Sequence, residues 1–235
     1  MPFSARTLTF LRGLKAHNEK PWFESHRAQY ERDVKAPLRD LVEEMDVRFA
    51  RFAPEFVGDP KKSVFRIYRD VRFSRDKQPY KTHASCWFFH RDGSRRVGQE
   101  AEDGGAGFYF QIAPGNAFIA GGIWMPPRRS LGKIRDAIAE DPGGFVKLAR
   151  APALVKRFGG LDDEAKLTRM PRGYPPEHPA GEWLKLQSFT VGRVLTDAQA
   201  ISGKLPALLE KDYEVMLPMV RWVNGVLGLK AAMRR

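Results

Sequence analysis

The chain has 235 residues, 43% of them hydrophobic, and 40 Lys and Arg against 28 Asp and Glu, a formal charge of +12. Such a length buries roughly 70–75% of its unfolded surface, which excludes a disordered or stapled miniature fold. A single cysteine, Cys86, excludes an internal disulfide and suits a reducing compartment. No apolar run approaches the ~18 residues of a membrane span, and the opening MPFSARTLTFLRGL has no continuous apolar core like that of a signal peptide. A cytoplasmic location with no membrane partner is therefore expected.

In chain order, Ser4 is placed to cap a first helix carrying Leu8, Leu11 and Leu14 on one stripe. Pro21 suits the first turn of a second helix, along which Phe23, Tyr30 and Val34 recur at helical spacing. Pro37 should break or kink it. Beyond it, Leu38, Leu41, Val42, Met45, Phe49 and Phe52 form a third stripe. The period then changes: SVFRIYR and HASCWFF read as strands from their β-branched and aromatic content. GFYFQIA, the turn PGN and AFIAGGIW read as a β-hairpin. The polar, glycine-rich stretch between Phe89 and Gly107 reads as an exposed loop.

After Pro126 and Pro127 the helical period returns with Leu131, Ile134 and Ile138, followed by the helical stretch GFVKLARAPALVKRF. MPRGYPPEHPAGEW is an irregular crossing, and SFTVGRVL reads as one more strand, with Phe189, Val191 and Arg193 on one face. A long helix from Leu205 to Leu227, with Pro218 inside it, closes the chain. Helices, then adjacent strands, then helices predict an α+β fold with a central, mainly antiparallel sheet that includes the hairpin. One domain over 1–235 is expected, made of an N-terminal helical segment 4–56, a β-rich core 63–125 and a helical and final-strand segment 127–228.

The charge is concentrated. Residues 61–96 hold seven arginines and four lysines against three aspartates, a net +8 of the chain's +12. At the centre lies FRIYRDVRFSRDKQPYKTH, residues 65–83, with arginines at 66, 69, 72 and 75 threaded by Asp70, Asp76, Lys77, Tyr80 and Lys81. Along a strand, residues three apart point to opposite faces, so a turn near Asp70 or Ser74 is needed to let the guanidiniums converge. Crowded guanidiniums repel unless an anion neutralises them. Arg66, Arg69, Arg72, Lys77 and Lys81 are therefore candidate ligands for a phosphate-bearing small molecule or nucleic acid. Alternatively, Asp70 and Asp76 tie the cations into a folding network, or the cluster receives an acidic protein segment.

If there is catalysis, Asp70 should stay ionised beside Arg69 and Arg72 and act as an orienting group. Proton transfer then falls to Asp76, to Tyr80 with its phenolate favoured by Lys77 and Lys81, or to His83, which titrates near neutrality unaided. Cys86, between Ser85 and Trp87, reads as a buried structural thiol. His17, His26 and His178 show no metal-ligand spacing, so neither a metal nor a cofactor is expected. The acidic run Glu100, Glu102 and Asp103 sits in a glycine-rich loop and reads first as solvated charge, with an autoinhibitory lid over a basic site as the alternative. Trp22, Phe23, Trp124 and Trp183 read as core, and Tyr68, Tyr80 and Tyr109 as possible faces for base stacking.

The stretch RIYRDVRFSRDKQPY resembles the marker motif of a bacterial family of unknown function whose members have about this length. The marked positions are Arg66, Arg69, Asp70, Arg72, Phe73, Asp76, Lys77 and Tyr80. The resemblance extends to TFLRGLKAHNEKPWFESHRAQYE, GFYFQIAPGNAFIAGGIWMP and MPRGYPPEHPAGEWLKLQSF. It implies one domain and assigns no activity.

Overall fold

A computed structural model of the chain describes residues 3–72, 74–93 and 104–232. The N-terminal helices are α1 (Ala5–Ala16), α2 (Lys20–Ser25), α3 (Arg27–Tyr30) and α4 (Ala36–Phe52). Thr7 Oγ1 accepts from the Ser4 backbone N–H at the start of α1. Pro21 occupies the first turn of α2, where a missing N–H costs nothing. Pro37 interrupts the regular ladder without ending the helix, because a π-helical turn, Glu31–Lys35, runs directly into α4. The Asp33 carbonyl, which would have bonded to the absent N–H of Pro37, accepts the Thr7 hydroxyl at 2.6 Å instead. The whole predicted stripe of α4, from Leu38 to Phe52, is buried.

Among the described residues five strands follow: β1 (Phe56–Val57), β2 (Ala84–His90), β3 (Gly107–Ile112), β4 (Ala117–Ile123) and, much later, β5 (Phe189–Leu195). They form one sheet in the order β1-β2-β3-β4-β5, with every neighbouring pair antiparallel. With helices at both ends of the chain, this is an α+β fold. The hairpin β3–β4 turns at Gly115, which has φ +69°, a conformation glycine adopts without strain. The stretch SVFRIYR, read above as a strand, is not one. It makes only an isolated bridge from Val64 to Cys86 and another from Tyr68 to Tyr80. Its backbone pairs with the edge of β2 through Phe65 and Ser63 and then leaves the sheet, ending as one side of a loop.

Alternation divides the sheet into two faces. Cys86, Phe88, Phe108, Phe110, Ile119, Phe189 and Val191 are buried on one of them, beneath α4 and the C-terminal helix α10 (Leu205–Val226). Phe49 of α4 lies 5.4 Å from Phe108 and 5.9 Å from Tyr213 of α10, ring centre to ring centre. The Tyr213 hydroxyl donates to the Tyr109 carbonyl at 3.0 Å. A Cβ on Gly121 would sit 2.8 Å from the sulfur of Met216, so glycine lets α10 come this close to β4. Pro218 lies on the exposed side of α10, away from this contact.

The helices α5 (Arg128–Glu140), α6 (Pro142–Ala149) and α7 (Pro152–Phe158) pack against α10. GFVKLARAPALVKRF is two helices rather than one: Pro152 begins α7, and the chain is non-helical at Ala151. Phe145 of α6 meets Trp222 of α10 at 4.8 Å. Short helices α8 (Gly181–Leu184) and α9 (Asp197–Ala200) flank β5. Trp124, read above as core, is instead 59% exposed, because it follows the last residue of β4 on the uncovered side. No helix among the described residues is long and apolar enough to cross a membrane.

Arg193 shares the inward face of β5 with Phe189 and Val191, and the partner that permits this is Asp212 of α10, which has no exposed surface. Arg193 Nε and Nη2 donate to Asp212 Oδ2 at 3.0 and 2.7 Å, and Arg157 Nε donates to Oδ1 at 2.5 Å. Removing one member of a buried pair strands the other charge. Asp212→Ala is expected to lower stability by about 3 kcal/mol, read from urea unfolding midpoints at pH 7. A loss near zero would mean that water already solvates both arginines.

Candidate functional site

The basic motif folds as a clamped loop. The chain pairs with itself at its base: the Arg69 N–H donates to the Pro79 carbonyl at 2.9 Å and the Lys81 N–H to the Ile67 carbonyl at 2.8 Å. Ile67 and Tyr80 are buried, and the ring of Tyr80 stacks on Phe23 of α2 at 4.3 Å. Asn18, in the turn between α1 and α2, seals the clamp. Its side-chain amide donates to the Tyr80 carbonyl and its side-chain oxygen accepts the Tyr80 N–H, both at 3.0 Å. Beyond this base, Asp70, Arg72, Arg75, Asp76, Lys77 and Gln78 are exposed.

Two ion pairs shape the loop. Asp70 takes Arg72 in a fork, with Nε at 3.0 Å and Nη2 at 2.7 Å. Asp76 takes Arg69 Nη1 at 2.5 Å and the Gln78 N–H at 2.9 Å. Lys77 Nζ donates to the Val71 carbonyl at 3.0 Å, which ties the loop across its own width. Arg66, Arg75 and Lys77 have no carboxylate partner among the described residues. Lys81 turns away from the loop tip, its ammonium 5.3 Å from the ring of Phe65. Phe73 and the acidic run Glu100, Glu102 and Asp103, read above as solvated charge or a lid, lie outside the described residues.

Asp70, assigned an orienting role, and the side chains assigned to proton transfer are all shifted from their ordinary values. The Arg72 fork holds the Asp70 carboxyl down to about 2. Asp76 is lowered by the Gln78 N–H and then by Arg69. Tyr80 departs from the reading above: burial raises its pKa, and neither lysine acts on it, Lys77 reaching Val71 and Lys81 lying over Phe65. Its buried ring is closed to base stacking, whereas Tyr68 of the same expectation is 43% exposed and Tyr109 half-buried. His83 is corrected too, since burial and then the charge of Lys81 push it down to about 4. Cys86 is buried, and burial raises its thiol well above the ordinary range, which suits a structural residue.

Sequence reasoning passed over the residues that hold the loop: Asn18 and Phe23, and also Arg27, which pairs with Glu24 and reaches the Tyr68 hydroxyl. The available signal was an asparagine directly before the second helix, in HNEKPWF.

Two outcomes follow from this geometry. Asn18→Ala removes both bonds to Tyr80 and is expected to cost about 2 kcal/mol, measured by chemical unfolding. His83 binds its proton less readily folded than unfolded, so it opposes folding once protonated. Stability should therefore be intact above pH 6.5 and fall as pH drops toward about 4. His83→Gln should shrink that slope relative to wild type, measured by thermal unfolding across pH 4 to 7. Equal slopes would show that His83 is solvated.

No curated protein and no solved structure matches the chain. A protein-family model does match, over residues 6–222, from α1 through the pairing of α10 with the sheet and across the whole basic loop. The chain belongs to the conserved hypothetical protein family DUF2461.

Proposed function

We propose that the 66–81 loop is a recognition surface for phosphate-bearing anions, and that nucleic acid is the ligand it suits best. The observation that carries this reading is the set Arg66, Arg75 and Lys77, exposed and without carboxylate partners among the described residues, on a loop whose base is clamped. Enclosed nucleotides are gripped by buried donors. Exposed cations on a loop instead follow a phosphate backbone, where each contact releases counterions. Arg69 and Arg72 are neutralised in part by Asp76 and Asp70, which fix their guanidiniums in place. Tyr68, exposed beside the loop, offers a ring face to an unstacked base.

Binding rather than turnover is the favoured reading, because Asp76 and His83 are shifted down and Tyr80 up, away from the range useful for proton transfer at neutral pH. A second reading draws on the two ion pairs: within it the loop is a folding element, or a dock for an acidic protein segment.

Titration of labelled single- and double-stranded DNA at several salt concentrations separates the readings. Three phosphate contacts give a log–log salt slope of about −3. Replacing Arg66, Arg75 and Lys77 together by Gln should weaken binding at least about tenfold and flatten that slope, with the unfolding midpoint unchanged. Absence of binding at low salt, or a triple variant that binds like wild type, would leave the structural reading in possession.

A further inference from the structure

The sheet face opposite α4 and α10 carries a cleft of 510 Å³ that no part of the basic loop accounts for. That volume falls within the range of small-molecule sites. Its floor comes from alternation. Trp87 pairs with Tyr109 and Tyr109 with Ala120, so these side chains stand together on the face that the core residues leave. Small residues keep the floor low, and at Gly122 nothing larger fits: φ is +127° and a Cβ would lie 2.0 Å from the Phe189 carbonyl oxygen. The walls are aromatic, with Phe65 6.1 Å and Phe118 5.3 Å from Tyr109, and Trp124 at the rim.

Three features mark this as more than an uncovered sheet. Among the described residues, Asp162 and Glu164 are the only charged side chains lining the cleft, in a chain of net charge +12. Neither has an ion-pair partner among the described residues, and a backbone bond, from the Asp162 N–H to the Thr190 carbonyl at 2.8 Å, anchors them over the cleft. Two wall residues, Trp87 and Thr190, are 7% and 8% exposed, yet Trp87 Nε1 and Thr190 Oγ1 have no hydrogen-bond partner among the described residues. Buried orphans of this kind are uncommon in native proteins. Finally, Trp124 is held at the rim by Met125, which adopts φ 43° and donates its N–H to Ser188 Oγ at 2.9 Å.

From this chemistry we infer that the cleft binds a small organic cation, with an ammonium group facing Asp162, Glu164 and the ring of Trp124, and an apolar body over Tyr109 and Phe118. Aromatic faces attract cations through the ring quadrupole, and they do so most for cations that are weakly hydrated, such as quaternary ammonium groups. The two carboxylates, neither in an ion pair among the described residues and Asp162 Oδ1 also accepting the Glu164 N–H at 3.0 Å, add the opposite charge. An anionic ligand is disfavoured by the same carboxylates, which separates this site from the basic loop.

The test uses the full chain, tryptophan fluorescence and ligand-observed NMR, with choline and its uncharged carbon isostere 3,3-dimethylbutan-1-ol as probes. Choline is expected to bind at least about tenfold tighter than the isostere. An Asp162→Asn, Glu164→Gln double variant should erase that difference. Trp124→Ala, at an exposed position, should weaken choline while leaving the unfolding midpoint in place. Should the double variant fail to fold, Glu164→Gln alone reports the same loss. Equal affinity for the two probes, no binding of either, or choline affinity that survives both sets of substitutions would overturn the assignment.

Discussion

One constraint organises this protein: the sheet can commit only one of its faces to the core. Phe49 settles which. It packs against Phe88 and Phe108 of the sheet and Tyr213 of α10, so a single ring joins α4, two strands and the C-terminal helix. Burying a side chain of this kind contributes about 1.5–3 kcal/mol, and the cluster repeats it several times. With Phe108 turned inward, alternation sends Tyr109 outward; with Phe88 inward, Trp87 goes outward. The aromatic cleft is the other half of the packing that made the core.

Charge follows a comparable division. The buried carboxylates are consumed by arginine: Asp212 by Arg157 and Arg193, and Glu55, almost fully buried on the chain leading into β1, by the fork of Arg221. These pairs span elements far apart in sequence, and each fixes the register of α10 against its neighbours. The Arg221–Glu55 pair joins α10 to the end of α4, and the Asp212 pairs join it to α7 and β5. With those acids occupied inside, much of the surplus positive charge is left on the surface, and the loop at 66–81 presents a concentrated share of it.

The loop and the cleft meet at one residue. Phe65 begins the basic segment, lines the cleft beside Tyr109, and lies beneath the ammonium of Lys81. The loop is cationic and the far rim of the cleft is anionic. The two ligands proposed for them are accordingly of opposite sign.

Much of the fold was legible in the chain. The helical stripe from Leu38 to Phe52, the hairpin around PGN, the last strand and the long closing helix depend on local periodicity, and each lies where its pattern predicts. The α+β class follows from their order. The position of the basic motif was legible too, since charge density is a property of composition. What local pattern could not supply was pairing at long range. SVFRIYR has strand composition, but the antiparallel base formed with residues 79–81, and the Asn18 side chain that seals it, required a partner 62 residues away. Tyr80 looked titratable because its neighbours in sequence are lysines, and His83 because an imidazole titrates near neutrality unaided; burial, a tertiary quantity, shifted both instead. Trp124 was read as core from its hydrophobicity, yet only the packing of α10 on one side of β4 decides that its side faces water. Composition and period are written in the chain residue by residue, whereas desolvation and the choice of buried face exist only once distant segments have come into contact.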